Sequence, residues 1–278
     1  MGLRIATNTA SQEVQKNLRI NSVEQQDEMA KLSSGKRITK AADDAAGLAI
    51  ATNLDAQTRG LRQATRNASD GISLVQTAEG GLNETSNILV RLRELSVQAA
   101  SDTVGDTERG YLDKEYQQLV SEVDRIANST TFNGTKLLNG ESGKGSIDFH
   151  VGAFAGENNK ISFDPDASNS TSSSIGVSGA GVGSKDDASS SIEKIDAAIE
   201  KVSGFRATMG SIQSRLQSTV NNLETQVINQ DTAKSQILDV DVAESSAKQA
   251  SINVMKQAGM SSLAQANSIP MSAMRLVG

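Results

Sequence analysis

From Leu54 onward an apolar or small residue returns every seven positions, at Leu61, Ala68, Val75, Leu82 and Leu89, with Ala64, Ala78, Leu92 and Ala99 at the intermediate position. That is the seam of a coiled-coil helix. Gln57, Gly71 and Thr85 interrupt the intermediate position, and the glycines at 47, 60, 71, 80 and 81 each weaken a helix by up to about 1 kcal/mol relative to Ala, so the seam is marginal alone. A second run, Leu112, Tyr116, Leu119, Val123 and Ile126, follows a polar break at Ser101 to Thr107 and reads as a shorter helix turning back on the first. Near the other end Ile195, Val202, Met209, Leu216, Leu223 and Ile237 fall on the same grid, flanked by Ile192, Ile199, Val220 and Val227. Three amphipathic rods, none able to hide its stripe alone, are satisfied by packing together. This predicts that the N-terminal and C-terminal thirds lie side by side, with the termini close.

Composition fits slender helices. No Trp occurs, and no aromatic ring stands before Tyr111 or after Phe205, so the ends must pack through Ala, Leu, Ile, Val and Met. Small side chains let backbones approach closely. Pro165 and Pro270 are the only prolines, which leaves nearly the whole chain free to be helical, since Pro inside a helix costs about 3 kcal/mol. Residues 1–43 and 238–278 carry thin stripes, such as Val14, Leu18, Gln25 and Leu32, or Ala247, Ala250, Val254, Ala258 and Leu263. Ordering a residue costs roughly 1 to 2 kcal/mol, so these segments are expected to stay disordered until neighbouring copies add surface. The middle, about 140 to 188, changes character. Asn133-Gly134 and Asn139-Gly140 are turn signals, Ile147 to Val151 and Ile161 to Phe163 alternate as short strands do, and Ser168 to Ser191 has loop composition. A small outward β-containing lobe at the tip of the helical hairpin is the expectation.

A net charge of -6, with Lys and Arg scattered among Asp and Glu, disfavours nucleic acid as a partner. No apolar run of 18 or more residues exists, so membrane insertion is not expected; Met1 to Gln12 lacks the regions of a cleavable secretion signal, and Ala6 stands where an acylation motif wants Ser or Thr. Without cysteine there is no disulfide, thiolate metal site or cysteine nucleophile. His150 shares the polar face of a predicted strand with Asp148, but no second His completes a metal site or triad, and a solvated strand histidine is the preferred reading. Asp43-Asp44 reads as a helix N-cap and first-turn charge rather than an acid/base pair. Gly80-Gly81 sits inside a heptad run with no strand before it and no Lys after it, which disfavours a phosphate loop. No catalytic, metal or cofactor-binding residue is assigned, and an enzyme is not expected. The heptad seam residues Leu54, Leu61, Val75, Leu82, Leu89, Ile195, Val202, Met209, Leu216 and Leu223 are the candidates for subunit packing.

Leu32 to Ile38 (LSSGKRI) and Asp43 to Ala51 (DDAAGLAIA) closely resemble the N-terminal signature of bacterial flagellin. The likeness continues through Gly71 to Gly80, Arg91 to Gln98 and Thr131 to Gly134, and at the far end through Gln257-Ala258-Gly259 and Leu263 to Asn267. Residues 24 to 30 are more polar than usual, and Arg275 to Gly278 is a less apolar close. The resemblance implies a mainly α subunit of the flagellar filament, the propeller of swimming bacteria. It further implies export without signal cleavage by a type III apparatus and its chaperone, addition beneath a filament cap, and an extracellular place next to hook-junction proteins; a hook-filament junction protein is the alternative. It divides the chain into terminal helices 1–43 and 238–278 forming an inner core, a helical layer 44–139 and 189–237, and a variable outer lobe 140–188. Arg91, Leu95 and Glu115 match the residues that the innate-immune flagellin receptor recognises. Arg91 and Leu95 are four apart, hence on one helical face, which reads as an exposed patch. The Ser/Thr stretch at 168 to 191 is expected to be a flexible loop or, as in some flagellins, to carry O-linked sugars.

Overall fold

A computed structural model describes residues 7–143 and 145–277 of the chain, with side chains as far as Ile269. The Met1 to Ala6 stretch weighed for acylation and the closing Gly278 lie outside the described residues, as do the side chains of Arg275 to Val277. The chain divides into two compact units, one comprising Gln57–Ile228 and the other the residues before and after it.

The terminal unit centres on helices α1 (Thr9–Ser34) and α6 (Val242–Val277), which pack against each other. Asn8 caps α1 by accepting from the Ser11 amide at 3.0 Å, and Gly35, at φ 69, closes it in the left-handed conformation that favours glycine. The following turn is tied to the end of α5 (Lys185–Leu238): Lys36 bridges Asp239, the Arg37 amide donates to Leu238 O at 2.7 Å, and the Arg37 guanidinium donates to Ile237 O at 2.6 Å. These donors satisfy carbonyls that a helix end otherwise leaves open. The acidic pair splits its work. Asp43 accepts from the Thr39 and Lys40 amides, and Asp44 caps α2 (Ala45–Ala99) by accepting from the Gly47 amide at 2.8 Å.

The terminal segments lie side by side as the grids predict: they are helices paired within one chain, with α6 of the same molecule covering α1. The very ends lie outside the described residues, but Asn8 reaches across to donate to Ala266 O at 2.9 Å.

In Gln57–Ile228, α2 and α5 pack with α3 (Asp106–Ser129) around one apolar core. The heptad grids predict it well. Ala68, Val75, Leu82 and Leu89 of α2, Tyr116, Val123 and Ile126 of α3, and Ile195, Val202, Met209 and Leu216 of α5 are all buried. Arg109, itself buried, locks the α2 to α3 turn by donating to Ala99 O at 2.8 Å and Ser101 O at 3.0 Å, which closes the C-terminus of α2. Gly80 and Gly81 lie in mid-helix, with no phosphate-loop geometry.

The predicted strands form, and they pack onto the flank of the helices. β1 (Thr131–Phe132) and β2 (Thr135–Lys136) make a tight hairpin whose Asn133 and Gly134 both take positive φ, 48 and 75. β3 (Ile147–His150) pairs antiparallel with β4 (Lys160–Phe163), Phe149 opposite Ile161. Phe149, Val151, Ile161 and Phe163, with Ile175, Val177 and Val182 beyond a short α4 (Ser172–Ile175), enter the same core as the helices. The physical reason is space. A Cβ added at Gly71 of α2 would stand 3.1 Å from the Phe149 ring, so the bare glycine seats the aromatic against the helix backbone. Nor is 168 to 191 simply loose: Ser168, Ser170, Ser172 and Ser191 are buried, and Ser172 donates to both Asp124 carboxylate oxygens at 2.8 Å, once from its amide and once from its hydroxyl.

Candidate assembly surfaces

Helix α1 turns toward α6 through Ser11, Val14, Leu18, Asn21, Gln25, Glu28 and Leu32, all buried or half-buried. The facing set on α6 is Ser245, Gln249, Ile252, Lys256, Gly259, Leu263 and Ala266. Both runs alternate steps of three and four, the spacing of a coiled-coil seam. Half of the occupants are polar, and with flanking residues they answer one another in antiparallel order. Ser11 donates to Asn267 at 2.9 Å, Gln25 to Asn253 at 2.6 Å, Lys256 to Gln25 at 3.0 Å, and Lys248 to Glu28 at 2.9 Å. Gly259 leaves room for Leu18, whose Cδ2 would lie 2.7 Å from an added Cβ.

Among the described residues Glu28 is the deepest charge, only 4% exposed, and is held by Lys248 and Lys31, at 2.9 and 3.0 Å. Burial pushes its carboxyl upward, but the hydrogen bonds from the two lysines together outweigh burial and hold it below the usual carboxylate range. Lys248 is raised in return, first by its bond to Glu28. The stripe expected on α6 is misplaced: Ala247, Ala250, Val254 and Ala258 are exposed, and of that set Leu263 alone turns inward. Ile20, Val23 and Met29 of α1 and Met255 and Met260 of α6 are also exposed, so the paired helices present apolar surface outward.

The heptad seam residues serve the single chain. Leu61, Val75, Leu82, Leu89, Ile195, Val202, Met209, Leu216 and Leu223 are buried within Gln57–Ile228, and Leu54 is half-buried, so they hold the subunit together instead of facing a neighbour. The physical reason is that α2, α3 and α5 are each other's partners.

Of the three residues matched to receptor recognition, the structure joins two. The Arg91 guanidinium donates to Glu115 of α3 at 2.8 Å and to Glu94 at 3.0 Å, all three exposed. Leu95 departs from the expected exposed patch: it is 1% exposed and belongs to the core. Four residues make slightly more than one turn, and that offset places Leu95 against the bundle while Arg91 remains outside. Arg93 donates to Asp196 of α5 at 2.6 Å, so neighbouring arginines of α2 reach to opposite flanking helices. Asp148 pairs with Ser162 at 2.7 Å and Lys160 at 3.6 Å, while His150 is exposed opposite Lys160; the imagined His–Asp pair does not form. Among the described residues no helix is long and apolar enough to cross a membrane.

Residues 5–142 match the family profile described as the bacterial flagellin N-terminal helical region, and 192–277 that of the C-terminal helical region. The chain belongs to the bacterial flagellin family. It is 40% identical over 270 residues to a flagellin of Halalkalibacterium halodurans, covering 97% of this chain and 98% of the relative. To the flagellar filament core protein flaB2 of Brachyspira hyodysenteriae it is 38% identical, covering 98% and 99%. Among solved structures, Bacillus cereus flagellin aligns with a TM-score of 0.51 at 34% identity over 57% of this chain and 88% of that one. A putative flagellar hook-associated protein from Vibrio parahaemolyticus aligns with a TM-score of 0.58 over 71% of this chain and 100% of that one; at 16% identity the likeness is one of fold alone. This flagellin has a mainly α architecture in which N-terminal and C-terminal helices pack together, with only small antiparallel sheets. The polar seam of the terminal pair escaped sequence reading because apolar periodicity was the guide; the alternation of Gln25 and Glu28 against Lys248, Asn253 and Lys256 was the signal available.

Proposed function

We infer that this chain is a structural subunit that polymerises into the bacterial flagellar filament, the helical propeller of swimming motility. The observation that carries this is end-to-end identity to a protein named for the filament core, 38% over 98% of this chain and 99% of that one. The flagellin family is one of structural proteins, which supports a non-enzymatic role. Copies joined head to tail through interfaces that do not close on themselves form an open helical filament. The outward apolar residues of α1 and α6, among them Ile20, Val23, Val254 and Met260, support a polymer in which the terminal helices form the inner core. On this reading Gln57–Ile228 forms the surrounding helical layer, with 140 to 188 lying on its outer side. Purified protein added to sheared filament seeds should extend them in electron micrographs, and monomers that leave seeds unextended would refute the reading.

The finer partners follow from the family resemblance: export by the flagellar apparatus with a chaperone, addition beneath a cap, contact with hook-junction proteins at the filament base, and an extracellular location. Receptor recognition centres on the exposed Arg91 and Glu115, with Leu95 supporting them from beneath. Reversing the charge of Arg91 should weaken monomer binding to the receptor; unchanged affinity removes the assignment.

A further inference from the structure

The filament reading leaves open which side chains join one copy to the next, and Gln57–Ile228 carries a knob and a groove that answer this. Of the five phenylalanines, Phe149 and Phe163 are buried, Phe132 and Phe205 are half-buried, and Phe154 alone is exposed, at 60%. It stands on a loop pinned at both ends. The Val151 amide donates to Asn159 O at 2.8 Å, the Asn159 amide to Gly156 O at 3.1 Å, and Ala153 packs on α2 at Gly60. A ring presented on a fixed loop loses little freedom when it docks. Farther along α2, Val90 and Val97, seven apart and therefore on one face, are 48% and 51% exposed and line a shallow groove of about 560 Å³ with Arg93, Glu94 and Gln98. The groove thus offers apolar surface between the Arg93 guanidinium, paired with Asp196, and the Glu94 carboxylate, paired with Arg91, both of which keep exposed edges for a further partner. Glu157 and Lys160, three and six residues beyond Phe154, are the opposite pair and meet at 3.2 Å.

Within one chain the two cannot meet. At about 1.5 Å per residue, Gly60 and Glu94 lie about 50 Å apart along α2. Resting on the filament reading above, we propose that Phe154 of one copy docks into the Val90–Val97 groove of the next, with Glu157 set toward Arg93 and Lys160 toward Glu94. Knob and groove are different surfaces at different levels of the same helix, so the contact is heterologous and repeats without closing. Aromatic anchors in apolar pockets are where binding energy concentrates. The docking sets a spacing of about 50 Å between successive copies in such a row, one α2 translation from knob to groove.

The chain has no cysteine, so F154C combined with V97C introduces the only thiols. A disulfide needs Cα atoms within about 7 Å, which excludes bridging inside one chain. Oxidation, or a short bis-maleimide, should leave the soluble variant monomeric and convert its filaments into a ladder of linked multimers, with neither single variant giving a ladder. F154D should raise the protein concentration needed to extend wild-type seeds about tenfold, with the far-UV circular dichroism and thermal transition of the monomer unchanged. Well-formed filaments of the double-cysteine variant that give no ladder overturn the docking, as does F154D that extends seeds at the wild-type rate. Failure of the wild-type chain to extend any seed is a different result: it removes the filament reading, and this inference with it.

Discussion

In Gln57–Ile228 the inward positions of the long helices include Val75, Leu82, Leu89, Val202, Met209 and Leu216, all buried; in the terminal unit the seam of α1 and α6 mixes Leu18, Ile252, Leu263 and Ala266 with Ser11, Gln25, Glu28, Ser245, Gln249 and Lys256. The spacing is the same and the chemistry is not. Apolar seams gain roughly 25 cal/mol for each Å² removed from water, while a polar seam exchanges hydrogen bonds with water for hydrogen bonds across the pair, at about 1 kcal/mol net each. One unit is therefore held by burial along its seams, while the other interleaves apolar contacts such as Leu18 and Ile252 with polar pairs that specify its register.

The sharpest way to break that contrast is to remove one buried apolar side chain from each unit. Leu89→Ala should destabilise Gln57–Ile228 by about 2–5 kcal/mol and lower its thermal transition in calorimetry. Ile252→Ala, although Ile252 is 1% exposed, should leave that transition in place and appear as faster amide exchange in α1 and α6. A shift of the main transition by both variants would mean that the units share one cooperative core. Next in size is Gly71→Ala. The added methyl meets the Phe149 ring at 3.1 Å, and the expected loss is about 1–3 kcal/mol by denaturant melting, offset by Phe149→Leu if the clash is the cause.

These contrasts mark what was legible in the sequence. The apolar grids of α2, α3 and α5 could be read because hydrophobic spacing is set by helix geometry, and every residue of Val75, Leu82, Val202 and Met209 fell where it pointed. The strand pair could be read from alternation, but not its place, because whether Phe149 faces outward or into the bundle depends on a glycine distant in sequence. The α6 stripe was misread for a related reason. Ala250 and Val254 are the more apolar choice, yet the partner helix selects the face that carries Gln249 and Lys256. Leu95 shows the limit of counting turns: a step of four keeps residues near one another without fixing which of them looks outward.

Acid tests the polar seam through Glu28. Because the Glu28 carboxyl is held below its ordinary range, its contribution is fully present above the unfolded carboxylate value and is lost as pH falls through the lowered one. The groups facing it are Lys31 on its own helix and Lys248 on α6, with Glu24 and Glu244 near Lys248. Exchange protection of α1 and α6 should therefore drop in acid, ahead of Gln57–Ile228. Glu28→Gln should begin with weaker protection at neutral pH and show a shallower fall; an unchanged acid profile would place the sensitivity elsewhere.

The smallest expected effect carries a sign that separates two kinds of glycine. Gly80 and Gly71 both interrupt the same helical run, but only Gly71 falls on the heptad grid. Around Gly80 an added Cβ meets nothing within 4 Å, so Gly80→Ala adds helix propensity without a clash. It should stabilise Gln57–Ile228 by about 0.5–1 kcal/mol in the same melting experiment in which Gly71→Ala destabilises it. If Gly80 is instead retained so that α2 can flex between two packings in the filament, Gly80→Ala will still stabilise the monomer while reducing the range of filament forms seen as pH and salt vary. An unaltered range of forms would leave helix propensity as its whole effect.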